Sequence, residues 1–478
     1  MERATFERLH SRLREVLGAG AVRCAPEDLA VFSADAYGEN GQADLVVFPE
    51  TAREVAAIVR IAGDCGVPVV ARGAGTGLCG AAVPVAGGIV LSSARMNRIR
   101  SLDLRRRRAI VEPGLINAEL SRACTGGGLF FGPDPSSGAI STLGGNAATN
   151  AGGPHAFAYG SMSAHVLGIE FVDAAGELVT ASCDDSGYDL TGLLVGSEGT
   201  LGITTALELR LLRIPPAVRV FVAAFGAIEA ASETVSAIVA AGIAASALEI
   251  MDATIVRAIE AHYHAGYPDD AAAVLLVEVA GEAEDVAEAE RAIRTLAHAG
   301  GALSWQAAAD AAQRAALWAS RKGAAGALGR FAPNYYIQDV TVPRTRLPEA
   351  VAGACESARS HGLVVGNVFH AGDGNLHPLL VFDRRERAQV EAVIAAGNEI
   401  LARAIALGGT VSGEHGIGYE KRDAMTQVFS SADLAAMARV RELLDPARTF
   451  NPDKIFPRGA VCGEVLAAQP ALAAGVWT

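Results

Sequence analysis

The chain has 478 residues, of which 51% are hydrophobic and 19% are charged, and its formal net charge is −13. This length exceeds one typical hydrophobic core, so two or three domains are expected. The composition is that of a folded globular protein and excludes a disordered one. The acidic balance argues against a nucleic-acid partner, because phosphate binding requires a surplus of Lys and Arg.

The seven cysteines are scattered singly, and no two of them have a C-x-x-C spacing. This pattern indicates neither a disulfide framework nor a cysteine-held zinc or iron–sulfur centre, and it fits a reducing cytosol. The charged N-terminal segment predicts a helix through Leu17 rather than a signal peptide. The apolar stretches are too short to span a bilayer. We therefore expect a cytoplasmic protein without a transmembrane segment, which partner proteins could hold at the inner membrane.

The first 215 residues are predicted to form short strands, turns and a few helices. Residues 51–66 carry apolar side chains at helical spacing. Buried strands are predicted at 67–70, 89–91, 109–112, 166–173 and 201–212. Pro215 and Pro216 then punctuate the chain, and a domain boundary is predicted there.

From about residue 218 the pattern changes to strands that are each followed by a helix. The predicted pairs are 220–225 with 228–241, 274–279 with 282–299, and 340–342 with 347–360. This alternation predicts an α+β domain with helices over one face of a sheet. A further helix is predicted at 387–407.

The segment R-G-A-G-T-G-L-C-G at residues 72–80 contains a G-x-G-x-x-G pattern directly after a predicted strand. This pattern marks a Rossmann nucleotide site only where a helix follows it. Here Pro84 and the pair Gly87-Gly88 interrupt any helix, so a Rossmann site is disfavoured. A glycine turn between two strands can bind phosphate through consecutive backbone N–H groups, or it can be a tight turn without a ligand.

Three more glycine-rich segments follow in the first half of the chain. They are G-P-D-P-S-S-G at 132–138, G-G-N-A-A-T-N-A-G-G at 144–153 and G-S-E-G-T-L-G at 196–202. Glycines let a backbone approach a flat ligand closely, and the polar residues between them can hydrogen-bond its edges. Four such loops together predict a large polar cofactor.

In this order the four loops resemble the FAD domain of the vanillyl-alcohol oxidase/p-cresol methylhydroxylase superfamily, and the resemblance extends from about Val46 to Pro457. It implies an α+β protein with a two-part FAD-binding domain and an α+β substrate (cap) domain that has an antiparallel sheet. Some members attach FAD through a histidine in the first loop. That loop has none here, so non-covalent FAD is expected. The cofactor-binding residues implied by the resemblance are Arg72, Gly73, Ala74, Gly75, Thr76, Gly77, Leu78, Pro133, Asp134, Ser136, Ser137, Gly144, Gly145, Asn146, Thr149, Asn150, Gly153, Glu198, Gly199, Gly202, Ile203 and Asn451.

The proline boundary, the change of pattern after it and the resemblance together divide the chain into predicted domains. Residues 1–216 form the FAD-binding domain, and residues 217–444 form the substrate domain with a metal site. Residues 445–458 form a segment that returns to the FAD domain. Residues 459–478 are a tail.

The segment F-H-A-G-D-G-N-L-H-P at 369–378 predicts a β-hairpin, because Asp-Gly is a favoured two-residue type I′ loop. With Asp373 and Gly374 as that loop, His370 pairs with His377. Directly opposed residues share one face of the sheet, with Cβ atoms about 5 Å apart. Two imidazoles in this position can chelate one metal ion, or they can simply form hydrogen bonds.

The segment S-G-E-H-G-I-G at 412–418 supplies a carboxylate and a further histidine in a glycine-rich turn. His370, His377 and Glu414 together would make a metal site with an open position for a substrate oxygen, the pattern of a catalytic divalent metal. His415 would remain available as a base.

Both segments resemble the flavin subunits of glycolate oxidase and the related D-lactate and D-2-hydroxyglutarate dehydrogenases. The resemblance implies that His370, His377 and Glu414 bind the ion, expected to be zinc, and that His415 is the base. The segment L-W-A-S-R-K at 317–322 resembles the family's W-x-x-R-K, which implies that Arg321 pairs with the substrate carboxylate. A surface ion pair on a helix is the alternative for Arg321.

The resemblance implies FAD-dependent oxidation of a small D-2-hydroxy acid, glycolate or D-lactate, with hydride transfer to the flavin. D-2-hydroxyglutarate enzymes carry a lysine and an asparagine where this chain has Ile337 and Leu379, so a long diacid is disfavoured. The alternatives are a D-2-hydroxyglutarate or other D-2-hydroxy acid dehydrogenase that passes electrons to a quinone or a flavoprotein, an NAD-dependent Rossmann dehydrogenase, and a non-catalytic flavoprotein subunit. The resemblance also implies an iron–sulfur companion subunit, with a free-standing homodimer as the alternative.

Overall fold

The computed structural model describes residues 1–268 and 270–458, so the predicted tail at 459–478 lies outside the described residues. The strands of the described residues are β1 (Val22–Arg23), β2 (Leu45–Val47), β3 (Val69–Arg72), β4 (Ile89–Ser92), β5 (Ile99–Asp103), β6 (Arg108–Val111), β7 (Leu129–Phe130), β8 (Val166–Val172), β9 (Leu178–Ser182), β10 (Ile203–Arg210), β11 (Leu212–Arg213), β12 (Ala217–Phe225), β13 (Ala247–Asp252), β14 (Ala273–Gly281), β15 (Ala302–Ala307), β16 (Asn334–Ile337), β17 (Val340–Thr341), β18 (Val364–His370) and β19 (Asn375–Phe382).

The α-helices of the same residues are α1 (Arg3–Leu17), α2 (Pro26–Phe32), α3 (Ala52–Cys65), α4 (Asn117–Thr125), α5 (Leu143–Thr149), α6 (Ala156–Tyr159), α7 (Leu190–Leu194), α8 (Ile228–Ala240), α9 (Ala253–Tyr263), α10 (Ala283–Ala299), α11 (Ala311–Lys322), α12 (Ala324–Ala327), α13 (Leu347–Ser360), α14 (Arg387–Ala406) and α15 (Ser431–Leu444). Among the described residues, no helix is both long and apolar enough to cross a membrane.

Helix α3 shows why the predicted elements form where they do. Thr51 accepts a hydrogen bond from the backbone N–H of Glu54, and Glu54 caps the backbone N–H of Thr51 in return. This capping box fixes the start of the helix. Gly66, at φ +63°, ends it in the left-handed conformation that favours glycine. The helix predicted at 51–66 is confirmed.

The chain divides into two compact units. The first comprises residues 1–152 and 161–214 and the described residues from 414 onwards. It contains a four-stranded sheet of order β1-β2-β4-β3, whose β2, β4 and β3 are parallel, and an antiparallel five-stranded sheet of order β5-β6-β10-β8-β9. Phe450 is fully buried in the core of the first sheet and pairs with Val69.

The second unit comprises residues 153–160 and 215–413. Its sheet has the order β15-β12-β14-β13-β18-β19-β16, and β17 also pairs with β19. Every pairing in it is antiparallel, which confirms the predicted antiparallel sheet. Side chains of α9, α11 and α12 pack on one sheet face in a core that includes Leu276 and Leu379.

The units differ from the predicted domains in three places, the smallest being that Pro215 and Pro216 belong to the second unit. Residues 153–160, which the sequence analysis assigned to the FAD-binding domain, belong to the second unit. The return to the first unit begins at Glu414 rather than at residue 445. Glu414 and His415 therefore open the last segment of the first unit, directly after Gly413 in the chain.

Candidate active site

The first glycine loop joins two neighbouring parallel strands without a helix. Residues 73–88 connect β3 to β4, and these strands pair in register from Val69 with Ile89 to Arg72 with Ser92. Gly75 and Gly80 have φ values of +74° and +73°, which a residue with a Cβ rarely adopts. The expected strand–loop–strand arrangement is confirmed, and the helix that a Rossmann site needs is not present in this segment.

The third glycine segment packs directly against the first. A Cβ atom on Gly73 would lie 2.2 Å from Oγ1 of Thr142, so only glycine fits there. Thr142 caps α5 by accepting a hydrogen bond from the N–H of Gly145. Part of the predicted glycine loop is therefore helical, because Thr142 supplies a capping side chain and Asn150 ends the helix at φ +53°.

The second segment lies beside the third. The N–H of Asp134 donates to the carbonyl of Gly152 at 3.1 Å, and the side chain of Asn117 donates to the carbonyl of Pro133 at 3.1 Å. The fourth segment joins them, since the N–H of Glu198 donates to the carbonyl of Ala148 at 2.8 Å. The four predicted loops thus come together within the first unit.

Glu198 and Asn451 fix backbone segments within this unit. The carboxylate of Glu198 accepts hydrogen bonds from the N–H groups of Ile417 and Gly418 at 2.7 and 2.8 Å. The side chain of Asn451 donates to the carbonyls of Ala81 and Glu198 at 2.8 and 2.7 Å. Burial raises the pKa of Glu198 to about 7. These two side chains therefore link segments of the first unit that are far apart in the sequence. That they also contact the cofactor remains a prediction.

Two charged residues of the first unit, the buried Lys454 and the half-buried Asp35, had no signal in the sequence. Lys454 is fully buried and donates to the carbonyl of Val83 at 2.5 Å, and burial lowers its pKa to about 8. Burial raises the pKa of Asp35 to about 6, and its Oδ1 accepts from the N–H of Tyr37 at 3.0 Å. Near them, Nη1 of Arg72 donates to the carbonyl of Ala34 at 2.6 Å, with its guanidinium over the ring of Phe32.

The predicted register of the histidine hairpin is wrong. His370 pairs with Asn375 and Val368 pairs with His377, so the loop has four residues rather than two. The carbonyl of His370 accepts from the N–H of Gly374 at 3.2 Å, and Gly374 has a φ of +85°. The shift amounts to two residues, and a shift of two preserves the face of every side chain because strands alternate with a period of two.

His370 and His377 therefore lie diagonally on one face of the sheet. Their ring centres are 5.1 Å apart and their planes are nearly perpendicular. One ring nitrogen of each lies within 4.8 Å of the other, and both side chains are buried. Diagonal neighbours on a sheet face can reach each other when their side chains are long.

Glu249 is the partner of His370 that the sequence analysis missed. It lies on β13 directly opposite His370 and is fully buried. Its two carboxylate oxygens lie 2.8 and 3.0 Å from Nδ1 of His370, and the same carboxylate forms an ion pair with Arg321. A buried carboxylate on Nδ1 is the usual neighbour of a metal-binding histidine, because it leaves Nε2 for the ion.

Asp339 lies beside the second histidine. Its carboxylate is 3.8 Å from Nδ1 of His377. It also accepts hydrogen bonds from Oγ of Ser412 at 2.6 Å and from the N–H of Gly413 at 3.0 Å. Asp339 therefore fixes the backbone immediately before Glu414.

Helix α11 places Trp318 and Arg321 one turn apart against the same face. Nε1 of Trp318 donates to the carboxylate of Glu278 at 2.7 Å, and Nε2 of His155 lies 3.0 Å from that carboxylate. Arg321 is 4% exposed, so the alternative that it forms a surface ion pair is wrong. Its Nε is buried and has no hydrogen-bond partner among the described residues. That donor suits a bound carboxylate.

Comparison with known proteins places the chain in a family. Residues 43–182 match the FAD binding domain family, and residues 214–455 match the family of FAD linked oxidases, C-terminal domain. The chain belongs to the FAD-linked oxidase family. Its predicted membership in this group of flavoenzymes is confirmed, and the NAD-dependent Rossmann alternative is wrong.

Curated relatives of this FAD-linked oxidase align along most of its length. It is 41% identical over 423 residues to "Glycolate oxidase subunit GlcD" of Escherichia coli strain K12, covering 88% of this chain and 85% of the relative. The identity to the Bacillus subtilis protein of the same name is 38% over 435 residues, or 90% and 93% of the two chains. "D-lactate dehydrogenase [cytochrome], mitochondrial" of Arabidopsis thaliana is 32% identical over 87% of this chain and 73% of the relative.

Solved structures show the fold of this FAD-linked oxidase. The 4-ethylphenol oxidase from Gulosibacter chungangensis matches with a TM-score of 0.79 and 19% identity, covering 96% of this chain and 98% of the other. The p-cresol methylhydroxylase structure matches with a TM-score of 0.75 and 17% identity over the same shares. The predicted two-domain FAD-binding fold of the vanillyl-alcohol oxidase type is confirmed.

Proposed function

We propose that this FAD-linked oxidase oxidises a small D-2-hydroxy acid, glycolate or D-lactate, to the 2-oxo acid. The observation that carries the proposal is the buried group of Arg321, Glu249 and His370 on one sheet face. Arg321 offers a positive charge to the carboxylate of the substrate. Beside it, the carboxylate of Glu249 orients the imidazole of His370. The names of the aligned relatives, a glycolate oxidase subunit and a D-lactate dehydrogenase, give the same substrate class.

In this proposal Arg321 binds the substrate carboxylate. A guanidinium presents a rigid fork of donors that matches a carboxylate, and the burial of Arg321 strengthens each hydrogen bond it makes. Its pairing with Glu249 keeps the side chain in place before substrate binds.

His370, His377 and Glu414 are the proposed ligands of a divalent cation, with zinc as the expected ion. The two imidazoles fit this role, because both are buried, a buried carboxylate lies near Nδ1 of each, and one ring nitrogen of each lies within 4.8 Å of the other. When bound, the cation would lower the pKa of the 2-hydroxyl group of the substrate.

His415 is the proposed general base. It takes the proton of the 2-hydroxyl group while the hydrogen on Cα leaves with its electron pair, so that the C–O single bond becomes the carbonyl of the 2-oxo acid. The redox chemistry at this point would be supplied by bound FAD, as the acceptor of that hydride. The glycine-rich loops of the first unit are proposed to hold it non-covalently.

Two aliphatic residues near the histidines favour a small substrate rather than a long dicarboxylic acid. Ile337 and Leu379 are directly opposed on β16 and β19 and so share one face. Leu379 lies two residues after His377 on the same strand, and therefore on the face that carries the histidine. Aliphatic side chains at both positions offer no partner for a second carboxylate, and an unpaired buried charge is costly.

A substrate panel tests the proposed activity. Purified protein with defined FAD and metal content would be assayed with a dye acceptor on glycolate, D-lactate, L-lactate and D-2-hydroxyglutarate. We expect the highest kcat/KM with glycolate or D-lactate. A clear preference for D-2-hydroxyglutarate would favour the alternative dehydrogenase, and the absence of turnover with every 2-hydroxy acid would overturn the proposal.

We also propose a companion subunit that carries electrons away from the flavin. The aligned Escherichia coli relative is by name a subunit of glycolate oxidase. The single cysteines of this chain form no cluster motif that could hold an iron–sulfur centre. Affinity purification from the native host should recover a cysteine-rich partner, whereas a lone homodimer with full activity toward its physiological acceptor would contradict the complex.

A further inference from the structure

Glu249 occupies a central position in the sheet of the second unit. It lies on β13, opposite Leu276 of β14 on one side and His370 of β18 on the other. Ala247 and Met251, the residues of its strand that share its sheet face, are buried hydrophobic side chains. A carboxylate in such surroundings loses its hydration, and it is retained only where charged or hydrogen-bonding partners compensate.

The two partners of Glu249 belong to two different parts of the proposed chemistry. Nδ1 of His370 lies 2.8 Å from one of its oxygens, and Arg321 forms an ion pair with the other. The contact to Nδ1 fixes the proton of the imidazole on that nitrogen, so the lone pair of Nε2 points away from Glu249. The ion pair holds the guanidinium of Arg321 at the same carboxylate.

We propose that Glu249 is a positioning residue shared by the metal ligand and the carboxylate-binding residue. One buried carboxylate orients His370 for a divalent cation and Arg321 for the substrate carboxylate, so the affinities for both depend on it. This inference rests on the proposed function, because it assigns a cation to His370 and a carboxylate to Arg321.

Glu278 provides a matched control. It is a buried glutamate on the adjacent strand β14 and pairs with Ala247, two residues before Glu249, so both carboxylates lie on one sheet face. Its carboxylate contacts Trp318 and His155 instead. The two glutamates share burial, strand type and contact with α11, and they differ in the partners that the proposal invokes.

The experiment compares Glu249→Gln and Glu278→Gln in full-length, FAD-loaded protein. The dissociation constants for Zn²⁺ and Mn²⁺ are measured by competition with a chromogenic chelator, and KM and kcat are measured at saturating metal. We expect Glu249→Gln to weaken metal binding by about 10- to 100-fold, the usual effect of losing a neighbour of a metal ligand. We also expect KM for the hydroxy acid to rise by about tenfold or more, because the ion pair with Arg321 is lost.

In Glu278→Gln, the metal dissociation constants should stay at the wild-type values. Flavin content and the unfolding temperature are recorded for each variant, to separate a positioning role from a loss of folding. If Glu249→Gln does not fold, wild-type protein with ¹⁵N-labelled histidine answers the same question by NMR. His370 should then carry its proton on Nδ1 both before and after metal is added, and a proton on Nε2 would overturn the proposal.

The outcomes separate the inference from the function on which it rests. If the wild type binds metal and Glu249→Gln binds it with the same affinity, the inference is overturned and the proposed function still stands. Weakened metal binding with an unchanged KM would overturn the shared role. Wild-type protein that binds neither cation would overturn both the metal part of the proposed function and the inference.

Discussion

The carboxylate of Asp339 lies 3.8 Å from Nδ1 of His377. Asp339 itself lies on the short link between β16 and β17. It also holds Ser412 and Gly413, the two residues that precede Glu414. One acidic side chain therefore lies beside a proposed metal ligand and fixes the turn that leads to another. A Cβ on Gly413 would lie 2.2 Å from the side-chain oxygen of Asn375, so this turn has no room for a larger residue.

Asp339→Asn is expected to weaken metal binding by about 10- to 100-fold, because an amide cannot both accept from Ser412 and Gly413 and present a negative charge to His377. Chelator competition measures the effect. Ser412→Ala is the control, since it removes one hydrogen bond to Asp339 and keeps the charge, and its effect should be smaller. Equal metal affinities in wild type and Asp339→Asn would show that this carboxylate serves the fold alone.

Substitution of His370 or His377 by Ala should abolish turnover and remove the metal while FAD remains bound. Both histidines lie in the second unit, whereas the glycine-rich loops proposed for FAD lie almost entirely in the first. Metal analysis and the flavin absorbance of the same preparation measure the two occupancies independently. Full activity of either variant after treatment with a chelator would rule out the metal site.

Arg321→Lys should raise KM for glycolate or D-lactate by about tenfold or more while the flavin spectrum stays unchanged. Lysine keeps the charge opposite Glu249 but lacks the planar fork that grips a carboxylate with two hydrogen bonds. Steady-state kinetics with a dye acceptor provide the measurement. A KM equal to that of the wild type would assign Arg321 to the stability of the sheet and α11 instead.

The stability of the protein should depend on pH through Asp35. Burial raises the pKa of this carboxyl from 3.8 to about 6. The folded state therefore holds the proton more tightly than the unfolded state, and the free energy of unfolding falls as pH rises through this window. The loss is at most about 3 kcal/mol, since one pH unit of pKa difference corresponds to about 1.4 kcal/mol.

In Asp35→Asn this loss should be absent, because an amide does not ionise and its oxygen can still accept from the N–H of Tyr37. The measurement is denaturant unfolding of FAD-loaded wild type and variant between pH 4 and pH 7. As pH rises to about 6, the free energy of unfolding of the variant should increase relative to that of the wild type. Above about pH 6 the difference between the two proteins should stay constant. Parallel curves for the two proteins would contradict the assignment.

Local signals in the sequence predicted much of this fold. The helix predicted at 347–360 has the same bounds as α13, and α3 lies within the predicted range 51–66. The glycine-rich segments identified the cofactor domain because each needs backbone conformations or close approaches that only glycine allows. The hairpin register was wrong by two residues, yet the histidines share a face because that error preserves the alternation of the strand.

The partners of the site residues could not be predicted, because they come from strands far away in the sequence. Glu249 and His370 meet only because β13 and β18 are neighbours in the sheet. A signal was nevertheless present. Glu278 is the one acidic residue of β14, and Glu249 lies between Leu248 and Ile250 inside β13; a buried charge of this kind needs a partner. Both carboxylates contact residues of α11, the helix that carries the predicted carboxylate-binding arginine.

The most direct test of the proposed activity is anaerobic reduction of the bound flavin by the substrate alone. Purified protein, with its FAD and metal content measured, is mixed without oxygen with glycolate, D-lactate or L-lactate, and the visible flavin absorbance is followed. We expect glycolate or D-lactate to bleach the flavin within the time of one turnover, and L-lactate to leave it oxidised. A fully loaded protein whose flavin stays oxidised with every 2-hydroxy acid would contradict the assignment of this FAD-linked oxidase to D-2-hydroxy acid oxidation.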